Sequence, residues 1–151
     1  MLGEGLYSSK RLVYDPPMSY RSVFRPGLFA GQTIVVTGAG SGIGRCCAHE
    51  LAALGAHVVL LGRSTAKLQT VEAEIRADGG AAGHAACDIR DEDAVKATVA
   101  AIVAERGVIH GLVNNAGGQF PSPLEDISGK GWQAVLATNL TGGFLMAREC
   151  H

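Results

Sequence analysis

The stretch Thr37-Gly38-Ala39-Gly40-Ser41-Gly42-Ile43-Gly44 decides how this chain reads. An apolar run, Thr33 to Val36, leads into it, and an alanine-rich helical pattern from Arg45 to Leu54 follows. Strand, glycine turn and helix in that order build a phosphate cradle. The glycines let the backbone turn tightly and approach a bulky anion with no Cβ in the way. The helix behind them offers unpaired backbone N–H groups and the positive end of its dipole to a pyrophosphate. The spacing G-x-G-x-x-G fits poorly, because Gly38 and Gly40 would require a glycine at Ile43. The spacing T-G-x-x-x-G-x-G fits fully, through Thr37, Gly38, Gly42 and Gly44. For such a loop taken alone, a tight turn with no ligand is the plain alternative.

Composition narrows the class. A chain of 151 residues can bury one sizeable core. Hydrophobic residues at 47% and charged residues at 18% describe a globular protein. A formal net charge of -1 argues against a nucleic-acid footprint. No apolar run reaches bilayer length, so no membrane partner is expected. The four cysteines, Cys46, Cys47, Cys87 and Cys150, match no metal-ligand spacing. They read as small buried hydrophobes in a reducing compartment, and no metal is expected.

Residues 1–30 carry no periodicity and hold Pro16-Pro17 and Pro26-Gly27, so they read as an irregular leader. They lack the apolar core of a secretory signal, and Met18 is an alternative start. From residue 31 onward strands and helices alternate. Thr33–Thr37 is a buried parallel strand. A helix from Gly42 to Leu54 follows, ended by Gly55. His57–Leu61 is a second strand, and Ser64 caps a helix running to Ala77. Ala81–Cys87 is a weaker third strand. A helix from about Asp91 to Glu105 leads to a fourth strand, Ile109–Val113. After a proline-bearing loop, one long helix runs from Lys130 to the end. The pattern predicts an α/β fold: a Rossmann-type doubly wound parallel sheet with helices on both faces. It is expected to be truncated after the fourth strand and its following helix, with 31–151 as the N-terminal part of a dinucleotide-binding domain.

Ligands of such sheets sit outside the carboxyl ends of the strands. After the second strand an acidic side chain would accept bonds from the adenosine ribose and repel a 2′-phosphate. This chain has Arg63 there instead, a planar donor fork suited to phosphate. NADP(H) is therefore favoured over NAD(H), with a solvated loop cation as the alternative. After the fourth strand comes Asn114-Asn115-Ala116-Gly117. Its small residues let the loop pass close to a cofactor, and its amides can tie neighbouring strands together.

T-G-x-x-x-G-x-G and N-N-A-G, each behind a strand, resemble the short-chain dehydrogenase/reductase family over Gly31 to His151. The resemblance implies cofactor contacts from Gly38, Gly40, Ser41, Gly42, Ile43, Gly44 and Arg63. It implies that Asp88 accepts a hydrogen bond from the adenine amino group, helped by the backbone of Ile89. Asn115, Ala116 and Gly117 would line the cofactor. Asp88 has a plainer reading as a helix-capping surface residue. Asn139, in Thr138-Asn139-Leu140, matches the family's active-site asparagine, which bends its helix and holds a relay water through its carbonyl. A plain helix polar residue is the alternative.

The family's serine and Tyr-x-x-x-Lys are not matched. The tyrosines are Tyr7, Tyr14 and Tyr20, followed four residues on by Arg11, Met18 and Phe24. The economical expectation is a fragment of a longer oxidoreductase, inactive as it stands. A non-catalytic dinucleotide-binding module is the alternative. The loop Gly117–Pro123 with Trp132 and Thr138–Gly142 looks more particularly like the peroxisomal trans-2-enoyl-CoA reductase branch and bacterial citronellol/citronellal dehydrogenases. That implies an acyl-CoA or alcohol/carbonyl small-molecule substrate, with the enoyl-CoA class ranked slightly first. It also implies a homo-oligomer, dimer or tetramer, of the full-length protein. A cytoplasmic location is expected, with a peroxisomal address as the alternative.

Overall fold

The computed structural model describes residues 22–151. The three tyrosines, Met18 and Pro16-Pro17 lie outside the described residues. Four strands appear: β1 (Thr33–Thr37), β2 (His57–Gly62), β3 (Ala81–Ala86) and β4 (Gly111–Val113). Between them run α1 (Gly42–Ala53), α2 (Thr65–Ala77) and α3 (Glu92–Arg106), and α4 (Gly129–Leu136) and α5 (Gly143–Cys150) follow β4.

The strands form one parallel sheet in the order β3-β2-β1-β4. Thr33 pairs with His57, His57 with Ala81, and Ile34 with Gly111. The chain walks outward from β1 to β3, then α3 carries it back past β2 and β1 to the far side. The order therefore reverses between β1 and β4, which is where an open α/β sheet leaves a crevice at its carboxyl edge.

Both faces of the sheet are covered, and side-chain alternation divides the core in two. Ile34, Val36, Val58 and Leu60 point to α1 and α2, where they meet Ala48, Ala52, Leu68, Val71 and Ile75. Val35, Val59 and Leu61 point the other way, to Val95, Val99 and Ile102 of α3 and to Leu145 and Met146 of α5. Burial on both faces explains why β1 and β2 read as unbroken apolar runs. Phe29 packs on the first of these layers, and its N–H donates to the Leu54 carbonyl at 3.0 Å. Glu72 of α2, almost wholly buried, meets Arg76 and the His84 ring of β3, which pins the edge strand to its helix.

Several expectations need correcting. β4 is shorter than Ile109–Val113: the His110 ring takes the Thr33 N–H on Nδ1 at 3.0 Å, so regular pairing begins at Gly111. β3 stops at Ala86, one residue before Cys87. The single long helix from Lys130 is interrupted by a π-helical stretch, Ala137–Gly142. Ser64 occupies the cap position of α2, yet its side chain makes no cap bond. Of the four cysteines only Cys87 is buried, Cys46 is exposed, and all four are free thiols. Among the described residues no helix is long and apolar enough to cross a membrane, and no His/Cys/Asp/Glu group is arranged to hold a metal.

Candidate functional site

A cavity of about 430 Å³ opens at the carboxyl ends of the strands. Its floor is the glycine loop after β1. Gly38 has φ +66, a conformation that favours glycine. A Cβ on Gly44 would meet the Gly38 carbonyl oxygen and, at 2.5 Å, Asn115 Nδ2. The first turn of α1 is thus pressed against the loop before it and the loop after β4, which aims the helix end into the cavity.

Thr37 locks these parts together. Its hydroxyl donates to the Val113 carbonyl at 3.2 Å and accepts the N–H groups of Asn115 and Ala116, each at 3.0 Å. Asn115 Nδ2 in turn donates to the Thr37 carbonyl at 2.9 Å. The polar groups at the ends of the two parallel strands are spent on each other, and the small residues Ala116 and Gly117 are left lining the cavity. Asn114 Nδ2 donates to the Gly143 carbonyl at 3.0 Å, fastening the same loop to the start of α5.

One wall comes from the ends of β2 and β3. Arg63, Ser64 and Lys67 stand at the start of α2, and Asp88, Ile89 and Arg90 follow β3. The Arg90 side chain, bound to both Asp88 oxygens, holds that carboxyl at a pKa of about 2 against partial burial; the Arg90 amide and the positive charge of Arg63 act in the same direction. With Arg63, Lys67 and Arg90 against Asp88, the wall carries a positive surplus.

The serines before the two helices that open here differ from the cap residues of α3 and α4. Asp91 caps α3 by accepting the Ala94 N–H, and Ser128 caps α4 by accepting the Gly131 N–H. Ser41 and Ser64, at the starts of α1 and α2, make no such bond. Their hydroxyls and the first-turn amides behind them fit the chemistry of a phosphate-bearing ligand.

Of the residues expected from sequence, Gly38, Gly40, Ser41, Arg63, Asp88, Ile89, Asn115, Ala116 and Gly117 line the cavity together. Gly42, Ile43 and Gly44 form the adjoining helix start. Asn139 stands one contact away, hydrogen-bonded to the cavity residue Gly118. Reading the sequence missed Ser64, Lys67, Arg90, Gly118 and Thr138. Lys67 was findable, since it lies in the first turn of the helix that follows Arg63. Nothing in the spacing marked Arg90 as the partner of Asp88.

A parallel sheet that reverses order at β1 and β4, with a glycine cradle at that point, defines a dinucleotide-type α/β fold. The model of the short chain dehydrogenase family matches residues 32–151, and the chain belongs to that family. A solved structure described as citronellol catabolism dehydrogenase (AtuB) from Pseudomonas aeruginosa PAO1 is similar at 67% identity and a TM-score of 0.83, covering 87% of this chain and 54% of that one. A metagenomic short-chain oxidoreductase in complex with NADP is similar at 44% identity and a TM-score of 0.76, over 80% of this chain and 55% of that one. Gluconate 5-dehydrogenase of Gluconobacter oxydans (strain 621H) is 42% identical over 125 residues, 82% of this chain and 49% of that protein. The chain spans about half the length of the curated relatives it matches. Solved neighbours include an NAD+-bound member as well as the NADP complex.

Proposed function

We propose that this chain forms the cofactor-holding part of an NADP(H)-dependent oxidoreductase. The observation that carries the reading is the cavity itself. A glycine cradle with no room for a Cβ at Gly44, two serines withheld from capping, and the Arg63–Lys67 pair meet at the point where the strand order reverses. In this reading Gly38–Gly44 seat the pyrophosphate, Arg63 with Lys67 takes the 2′-phosphate, and Asn115–Gly117 flank the nicotinamide half. A bound nicotinamide dinucleotide would donate or accept the hydride. The chain's own contribution is to seat it, orient it and hold the loop after β4 in place through Asn139. The proton-transfer role belongs to none of the described residues.

For substrate, the 67% likeness to a citronellol catabolism dehydrogenase supports an apolar alcohol or its carbonyl counterpart. Phe120 and Leu124, both exposed on the loop after β4, supply apolar surface on that side. An enoyl-CoA is the competing substrate class.

The test uses the protein as its gene encodes it. NADPH is expected to bind more tightly than NADH. Losing a charge-assisted bond in Arg63→Ala should weaken NADPH by about 10- to 100-fold and NADH much less. Tighter NADH binding would overturn the choice of cofactor. No dinucleotide binding would overturn the whole reading. Turnover of citronellol or citronellal, against trans-2-enoyl-CoA, decides the substrate class. Binding without turnover of either kind would identify a non-catalytic module.

A further inference from the structure

Asp88 is the one side-chain carboxylate among the residues that line the cavity. It stands one strand beyond Arg63: Gly62 pairs with Ala86, and the Cys87 N–H donates to the Gly62 carbonyl at 2.9 Å. A ligand whose pyrophosphate rests on the start of α1 would send one nucleoside along this wall and the other toward β4. An unpaired carboxylate here would repel the ligand's phosphates and swing freely. Neither holds in this arrangement. Asp88 Oδ1 accepts the Arg90 backbone N–H at 3.1 Å and Arg90 Nε at 2.9 Å. Asp88 Oδ2 accepts Arg90 Nη2 at 2.5 Å. A carboxylate has about four acceptor sites. Arg90 offers three hydrogens to these sites, its Nε–H shared between Oδ1 and, at 3.2 Å, Oδ2, so Oδ2 keeps the spare acceptor capacity. The Asp88 side chain is 34% exposed and lines the cavity.

We infer that Arg90 is a positioning residue: it clamps and neutralises Asp88 so that a single oxygen remains as a fixed acceptor for an exocyclic amino group on the bound nucleotide's base. The inference rests on the dinucleotide reading above. A carboxylate can only accept, so it selects a base edge that donates, as adenine does and hypoxanthine does not. The rigid guanidinium fork sets the direction, which a lysine cannot do.

The experiment compares binding of NADPH and its deamino (hypoxanthine) analogue to the protein as its gene encodes it, by nicotinamide fluorescence. The unaltered protein should favour NADPH by about tenfold. Arg90→Gln should bring the ratio of the two dissociation constants close to one. Arg90→Lys, which keeps the charge and loses the fork, should follow it. Arg90 is half exposed on a loop, and a thermal melt will check that both variants fold. Equal weakening of both dinucleotides, with the ratio unchanged, would overturn the clamp and leave Arg90 a bulk charge. An unaltered protein that binds both equally would overturn it as well, with the dinucleotide reading intact. Failure of the unaltered protein to bind either would sink that reading itself.

Discussion

Asn139 and Gly118 are joined by two opposed hydrogen bonds. The Gly118 N–H donates to Asn139 Oδ1, and Asn139 Nδ2 donates to the Gly118 carbonyl, both at 2.8 Å. The side-chain amide thus pairs with the backbone as a neighbouring strand would. It does so where the helical chain widens to a π turn, Ala137–Gly142. One extra residue per turn changes the direction in which a side chain leaves the helix, and such bulges gather at functional sites. A Cβ on Gly117 would come within 3.0 Å of the Asn139 amide oxygen.

Replacing Asn139 with alanine should therefore free the loop after β4. Two net hydrogen bonds at a solvent-exposed position are worth about 1–2 kcal/mol in total. Asn139→Asp keeps the volume but faces the Gly118 carbonyl with a carboxylate oxygen, so it should lose as much near neutral pH. Denaturant unfolding of the three forms checks this. Unaltered stability in both variants would mean that the amide pairing holds nothing in place.

Much of the fold was legible because burial on both sides of a parallel sheet leaves a strong mark. The β-branched runs of β1 and β2, bracketed by glycines, were readable to within a residue. β3 was weaker because its Ala81–Ala86 run holds no large side chain. Periodicity does not mark the π stretch, since Trp132-Gln-Ala-Val-Leu-Ala-Thr-Asn has ordinary helical spacing; only the resemblance, through Asn139, implied a bend in that helix. Within the cavity, the residues fixed by backbone geometry were readable from spacing, as at Gly38 and Gly44. Those fixed by side-chain partners were not. The pairing of Arg90 with Asp88 depends on a loop conformation, and Ser64 looked like a cap because a serine before a helix usually is one.

Gly44 offers a test of the cradle that does not need a ligand. Its Cβ position is filled by the Gly38 carbonyl and Asn115 Nδ2, and backbone cannot swing aside as a long side chain can. Gly44→Ala should cost about 1–3 kcal/mol through overpacking. Gly118→Ala is the control, because nothing lies within 4 Å of a Cβ there and its φ is not positive. It should fall within about 0.5 kcal/mol of the unaltered protein. Equal stability of the two variants, read from denaturant midpoints, would show that α1 can back away from the loop.

Asp88 gives an acid-side prediction with a definite sign. Its pKa falls from 3.8 to about 2, with Arg90 as the leading cause. A depressed folded-state value favours the folded form above the unfolded pKa, and the gain is lost as pH drops through the folded one. The contribution is therefore complete above pH 3.8 and gone below about pH 2. Solvent screening of so exposed a pair limits it to about 1 kcal/mol or less. Arg90→Gln should be less stable than the unaltered protein at pH 5, and the two should converge as the pH approaches 2. A gap that stays constant over that window would place the stabilisation elsewhere.

Thr37 is where the largest effect is expected from the smallest change. The residue has no exposed surface, and its hydroxyl serves three backbone groups. Thr37→Val preserves the shape and leaves the Ala116 N–H without its partner, while the Asn115 N–H and the Val113 carbonyl keep only their 3.0 Å bond to each other. A buried polar group left without a partner costs about 1–3 kcal/mol. One such penalty and the loss of two shared bonds put the expected loss at about 2–3 kcal/mol, less where water enters from the cavity. Thr37→Ser keeps the hydroxyl and drops only a methyl group, at about 1 kcal/mol. Serine close to the unaltered protein and valine far below it would show that β1 and β4 are held together by this hydroxyl. Because Asn115 and Ala116 line the cavity, valine should also weaken NADPH binding, and serine should not. If valine matches serine in stability, the loop after β4 is held by its other bonds, those of Asn115 to the Thr37 and Val113 carbonyls, of Asn114 to Gly143 and of Asn139 to Gly118.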